Sequence, residues 1–121
     1  MGLKVLIVDD ALFMRNMLKE IFTKAGFEIA GEAANGVEAV ERFRECRPDL
    51  VTMDIVMPLK SGIEALQEIT GRHPEARVIM CSALGQEALV VEAIQAGAKD
   101  FIVKPFKEQQ VIDVARRVTG G

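Results

Sequence analysis

Three short stretches of this chain are apolar without interruption, Val5 to Val8, Val78 to Cys81 and Phe101 to Val103, and a fourth, Leu50 to Met53, is broken only by Thr52. A strand in a sheet with one wet face alternates apolar and polar residues, because successive side chains point to opposite faces. Unbroken runs therefore call for a sheet covered on both faces, the arrangement of parallel strands between two helix layers. A further segment, Phe27 to Ala33, is more polar and suits an edge strand. Each run also stops abruptly at a polar or charged residue, and these stops carry the chemistry.

The intervening segments read as helices. Met14, Met17, Leu18, Ile21 and Ala25 recur at spacings of three and four, and Gly26 after Lys24-Ala25 forms a C-terminal stop. Asn35-Gly36-Val37-Glu38 resembles a capping box that opens a second helix, with Val37, Val40 and Phe43 directed inward until Pro48-Asp49. Ser61-Gly62-Ile63-Glu64 is a second such box, followed by Ile63, Leu66 and Ile69 on one side and Glu68 spaced to meet Arg72, with an end near His73-Pro74. After Gly85 a helix buries Leu89, Ala93 and Ile94 and stops at Gly97, and Val111, Val114, Ala115 and Val118 stripe the last one. The result is a strand-helix alternation repeated five times, an α/β doubly wound parallel sheet of five strands.

With 121 residues, half of them hydrophobic, the chain is expected to form one domain over 1–121 with a single core. Charged residues make up 27% of it, mixed in sign, and the net charge is −3. No basic patch points to nucleic acid, and no apolar stretch approaches the length of a membrane span or a secretory leader, so a cytoplasmic protein is expected. Cys46 and Cys81 lack metal-type spacing and read as small hydrophobes.

The strand tips are Asp9 and Asp10 after the first strand, Asp54 at the third, Ser82 after the fourth and Lys104 after the fifth. In an open parallel sheet all of them fall on the carboxyl edge, where ligands bind. Taken singly, Asp10 is a helix cap, Ser82 a turn hydroxyl and Lys104 a solvated charge. Taken together, three carboxylates on one edge repel one another unless a cation compensates. Mg²⁺ suits such a pocket, since it accepts one or two carboxylates and leaves positions for water and phosphate oxygens. A carboxylate can itself accept a phosphoryl group. Asp9, Asp10 and Asp54 are then the metal-binding set, with Lys104 and Ser82 free to contact phosphoryl oxygens.

Asp9-Asp10, the segment Met53 to Pro58, Ser82-Ala83 and Lys104-Pro105-Phe106 resemble the receiver domains of two-component response regulators, over a span from Lys4 to Val118. Among receivers the chain is most similar to the stand-alone ones of chemotaxis. The resemblance implies a flavodoxin-like (βα)5 fold with strand order 2-1-3-4-5. It implies that Asp54 is the phosphorylation site, Asp10 a metal ligand, Asp9 a ligand through water and Val56 a ligand through its backbone carbonyl. It makes Ser82 the switch hydroxyl, Lys104 the phosphoryl-binding amine and Phe101 the aromatic switch, here without the hydroxyl of a tyrosine, and it makes the Lys104-Pro105 bond cis. Signalling would pass through the Gly85 to Ala96 helix, the Phe101 strand and the last helix.

The partners so implied are a histidine kinase as phosphodonor, a downstream protein such as a flagellar-switch component and a separate phosphatase, the chain itself being a monomer without direct contact to nucleic acid or membrane. It would not be an enzyme acting on an external substrate, though it would promote its own phosphorylation and dephosphorylation. Val56 and Leu84, two positions beyond the acceptor and the switch hydroxyl, offer no side-chain hydrogen bond to a hydrolytic water, so a long phosphoryl lifetime is expected. Three alternatives compete: a receiver cut from a longer regulator with an output domain, an aspartyl-phosphate phosphohydrolase, and a flavodoxin-type electron carrier. The last is disfavoured because two carboxylates would repel the flavin phosphate and the chain has no Trp or Tyr.

Overall fold

β3 (Leu50–Asp54) runs through the middle of the molecule and is buried at every residue. In a computed structural model that describes residues 2–120, it is flanked by β1 (Lys4–Val8) and β4 (Val78–Ser82), with β2 (Glu28–Ala33) and β5 (Asp100–Val103) at the edges. The order is β2-β1-β3-β4-β5 and every pairing is parallel. The helices α1 (Leu12–Lys24), α2 (Gly36–Cys46), α3 (Gly62–Arg72), α4 (Glu87–Gln95) and α5 (Glu108–Thr119) fill the crossovers.

Period-two sorting divides the core. Leu6, Val8, Val51, Met53, Val78 and Met80 face the layer of α2, α3 and α4, where Phe43, Leu66, Ile69 and Ala93 meet them. Val5, Ile7, Leu50, Ile79, Cys81 and Ile102 face α1 and α5, against Leu18, Ile21, Phe22, Val111 and Val114. Both faces are dry, as unbroken apolar strands require. Among the described residues no helix is long and apolar enough to cross a membrane.

Local signals were obeyed at most boundaries. Ser61 and Glu64 form the complete capping box, the Ser61 hydroxyl accepting from the Glu64 N–H at 3.2 Å and the Glu64 carboxylate from the Ser61 N–H at 3.0 Å. Asn35 caps α2 through the Glu38 N–H, and Glu38 reaches back one residue further than the motif suggests, to the Ala34 N–H. Gly62 opens α3 beside the end of β3, where a side chain would strike the Asp54 carbonyl; a Cβ would lie 1.9 Å from that oxygen.

Three expectations are corrected. Val37 sits in the first turn of α2 with 39% of its surface exposed, because the helix begins outside the sheet and turns its inner face to Ala39 and Phe43. Ile94 is 42% exposed, since α4 packs through Val90 and Ala93, which leaves Ile94 and Val91 on its outer side. Glu68 pairs with Lys60, not Arg72, so the bond closes the β3–α3 loop onto the helix that follows it. Phe22, one of the largest fully buried side chains, escaped the spacing argument; it packs edge-on to Phe27 at 5.1 Å between ring centres. The β1–β2 register shifts between Val5 and Leu6.

The loop after β3 holds one strained residue. Leu59 has φ of 69° and is 83% exposed, within a three-residue turn closed by the Lys60 N–H on the Pro58 carbonyl at 2.8 Å. An L-residue in this region costs roughly 1–3 kcal/mol, part of which glycine returns as greater freedom of the unfolded chain. Leu59→Gly is therefore expected to raise stability by about 0.5–1 kcal/mol, read as a higher urea midpoint at unchanged slope.

Candidate functional site

The carboxyl edge of the sheet gathers the strand tips as expected. Asp54 ends β3, Ser82 ends β4, Asp9 follows β1 directly, and Lys104 follows β5, from which its N–H donates to the Ser82 carbonyl at 2.7 Å. The Lys104-Pro105 bond is cis. Asp9 is fully buried, Asp54 is only 7% exposed and Ser82 is buried, while Asp10 stands exposed beside them.

Asp9 is fixed on several sides. Its N–H donates to the Ala33 carbonyl at 3.1 Å, and its Oδ1 accepts the Ala11 N–H at 2.9 Å. That bond begins α1 without any capping side chain at Ala11, so Asp10 is not a cap. Asp9 Oδ2 lies 3.0 Å from Lys104 Nζ, yet it is buried without an aligned hydrogen bond. Lys104 Nζ also lies 3.3 Å from Asp54 Oδ1 and so bridges the two buried carboxylates. Burial of the amine works to lower its pKa, but Asp9 and Asp54 outweigh it and hold the amine above its ordinary range.

Asp54 feels the opposite imbalance. Burial, followed by the negative charge of Asp9, pushes its carboxyl up from 3.8 to about 6, against the pull of Lys104. Oxygens of Asp9, Asp10 and Asp54 lie within 4.8 Å of one another. An all-oxygen donor set, excess negative charge and a buried oxygen without an aligned donor together fit a hard divalent cation.

The remaining residues are placed less completely. Ser82 Oγ makes one long contact, of 3.5 Å, to the Ile102 carbonyl. Val56, two residues beyond Asp54, is exposed, as is Leu84. Phe101 lies outward, 40% exposed, and lines a groove of about 430 Å³ with Ser82, Leu84, Val90, Val91 and Ile94. Cys81, paired in register with Asp54, is wholly buried, and burial first, then the Asp54 charge, pushes its thiol far up. Both cysteines are free, and Cys46 donates weakly to the Ala30 carbonyl at 3.3 Å. The sequence reading missed Arg15, whose Nη1 donates to the Asp9 carbonyl at 2.8 Å; the available signal was a cation in the first turn of a helix, where the dipole disfavours it.

A doubly wound sheet that crowds carboxylates around one amine at its ligand-binding edge belongs with proteins that handle phosphoryl groups alongside a divalent cation. Comparison with known proteins narrows this: the model of the response regulator receiver domain matches residues 5–116, and the chain belongs to that family. It is 60% identical over 119 residues to the chemotaxis protein CheY of Thermotoga maritima, covering 98% of this chain and 99% of that one. It is 56% identical over 117 residues to the CheY of Bacillus subtilis, covering 97% and 98%. Among solved structures it resembles CheY in the CheX-CheY-BeF3-Mg²⁺ complex of Borrelia burgdorferi, with a TM-score of 0.92 and 45% identity over 96% of this chain and 88% of that one.

The Asp54 shift has a sign that can be tested. A native pKa of about 6 against 3.8 means that the folded, metal-free protein binds more protons than the unfolded chain between those values. Stability then falls as pH rises from about 4 to 6, and the cost is complete above that window. Asp54→Asn, measured by urea unfolding in chelator, is expected to stabilise by about 2–3 kcal/mol at pH 7.5 and to have much less effect at pH 4. Equal effects at both pH values would assign the change to packing.

Proposed function

We propose that the chain is a chemotaxis response regulator switched on by phosphorylation of Asp54. The observation that carries this reading is the juxtaposition of the Asp9, Asp10 and Asp54 carboxylates with the bridging amine of Lys104 at the carboxyl edge of the sheet. Near-complete mutual coverage with CheY relatives at 56–60% identity supports the chemotaxis assignment. The phosphodonor is a histidine kinase of the chemotaxis type. The target is a downstream protein such as a flagellar-switch component, and a separate phosphatase ends the signal. The chain acts as a cytoplasmic monomer between them and takes no external substrate.

In the forward step an Asp54 oxygen attacks the phosphorus of a phosphohistidine. The P–N bond breaks, the imidazole leaves with the electron pair, and Asp54 holds an acyl phosphate. Mg²⁺, bound by Asp10, Asp54 and the Val56 carbonyl and by Asp9 through water, would offset the charge of the carboxylates and the phosphoryl oxygens. Lys104 exchanges part of its pairing with Asp9 and Asp54 for a phosphoryl oxygen. Ser82, whose present contact is a weak one, turns its hydroxyl to another. That movement frees space beside the groove into which Phe101 rotates from its outward position, and α4, β5 and α5 present the changed surface to the target. Without a phenol hydroxyl, packing alone sets the balance between the two Phe101 positions.

Intact mass measurement after treatment with a small phosphodonor should show one phosphate on the wild type in Mg²⁺ and none in chelator or on Asp54→Ala. Equal uptake in chelator would remove the assignment. Because the folded pocket binds the cation and the unfolded chain does not, Mg²⁺ at a hundredfold excess over its dissociation constant should add about 2.7 kcal/mol of stability.

Hydrolysis of the acyl phosphate requires a water in line with the phosphorus, and the apolar Val56 and Leu84 at the rim cannot orient one through a side-chain hydrogen bond. Val56→Asn combined with Leu84→Glu should therefore shorten the phosphoryl lifetime roughly tenfold, equivalent to about 1.4 kcal/mol of barrier. The check is the decay of phosphorylated protein in saturating Mg²⁺; an unchanged rate would mean that rim polarity does not set the lifetime.

A further inference from the structure

Asp10 presents a problem of aim. Its side chain is exposed, and among the described residues no hydrogen bond or ion pair holds its carboxylate, although its oxygen shares the 4.8 Å cluster with Asp9 and Asp54. Its direction thus depends on the backbone that carries it. The peptide entering Asp10 begins at the Asp9 carbonyl, and that oxygen is gripped from behind by Arg15 Nη1 at 2.8 Å.

Arg15 is placed at some cost. It stands in the first turn of α1, at the positive end of the helix dipole, with no acidic residue in that turn to offset it. Its side chain is nevertheless only 16% exposed and held by a second bond, Nε to Glu32 Oε1 at 3.0 Å. Glu32 stands on β2, and its other oxygen accepts Lys19 Nζ at 2.9 Å. A rigid planar fork that joins a backbone carbonyl to a braced carboxylate fixes orientation in a way that a point charge does not.

We propose that Arg15, braced by Glu32, is a positioning residue for the divalent cation: it fixes the Asp9–Asp10 peptide so that Asp10 is presented to the site with Asp54. The proposal rests on the cation-dependent reading above. Groups that orient metal ligands without touching the metal typically govern affinity by about 10–100-fold when removed. Plain electrostatics demands the opposite sign here, because deleting a cation near the pocket should tighten cation binding.

The test is titration calorimetry with MgCl₂ alone on folded, unphosphorylated protein. Arg15→Ala and Arg15→Lys are both expected to weaken binding about tenfold, the lysine variant because it keeps the charge and loses the fork. Lys19→Gln removes an equal charge from the same cluster without touching Asp9, and it should leave affinity unchanged or tighten it. In chelator, amide exchange at the Ala11 N–H, which is bonded to Asp9 Oδ1, should speed up severalfold in Arg15→Lys. If Arg15→Ala does not fold, Arg15→Lys carries the test by itself. Wild-type affinity in Arg15→Lys, or tighter binding in Arg15→Ala, overturns the clamp and leaves the cation site standing. A wild type that takes up no Mg²⁺ overturns the cation reading and the clamp with it.

Discussion

Two buried carboxylates share one lysine at the carboxyl edge of this sheet, and most of the molecule is arranged so that they can stay there. Asp9 and Asp54 lie at the tips of adjacent central strands, preceded by Val8 and Met53, which have no exposed surface. Neither can turn out to water without dismantling β1 or β3. Lys104 supplies the counter-charge by reaching both, at 3.0 and 3.3 Å, but one amine cannot balance two carboxylates with Asp10 beside them. Burial first, and then the Asp9 charge, keep the Asp54 carboxyl raised against the pull of that amine. Tension of this kind is characteristic of functional sites, where groups are held in arrangements that stability alone would not select.

The helix layers make the tension sustainable. Each face of the sheet is closed by its own apolar cluster, so the strands that deliver the polar tips are anchored along their whole length. The close approach of Gly62 to the Asp54 carbonyl and the bond from the Gly62 N–H to the Ile55 carbonyl, 2.8 Å, hold the end of β3 against the start of α3. Looser contacts lie to the other side, toward α4 and β5. There Ser82 is weakly bonded and Phe101 borders open space. Rigid support on one side of Asp54 and slack on the other give a chemical change there a preferred direction in which to spread.

Much of this was legible in the residues. Continuous hydrophobicity at Val5–Val8, Val78–Cys81 and Phe101–Val103, with only Thr52 breaking Leu50–Met53, dictated a sheet covered on both faces, and the positions where those runs stop put Asp9, Asp54, Ser82 and Lys104 on one edge. What spacing could not supply was rotation and partner choice. The outward side of α4 carries Val91 and Ile94, so its pattern looks buried all round, and only packing shows that Val90 and Ala93 are the contact. Glu68 had a helical partner by spacing and took Lys60 instead, because the loop folds back over α3. Arg15 stood out only as a cation in the first turn of a helix, and its contact to a backbone carbonyl leaves no mark in side-chain spacing. The strand order came from the family resemblance, since periodicity alone fixes neither neighbours nor edges.

The irregular seam between β1 and β2 bears on how the protein behaves in a crowded solution. An open sheet has two outer strands whose unpaired backbone groups can recruit a strand from another molecule and seed a growing stack. On one side the slipped register at Val5/Leu6 interrupts the flat ladder, and Glu28 and Glu32 place charge along the outer strand. On the other, β5 has only four residues, and Asp100 at its start is tied to Arg117 at 2.6 Å. Neither border offers a long, straight, uncharged template, so in a chain with half its residues hydrophobic both edges of the sheet oppose edge-to-edge joining.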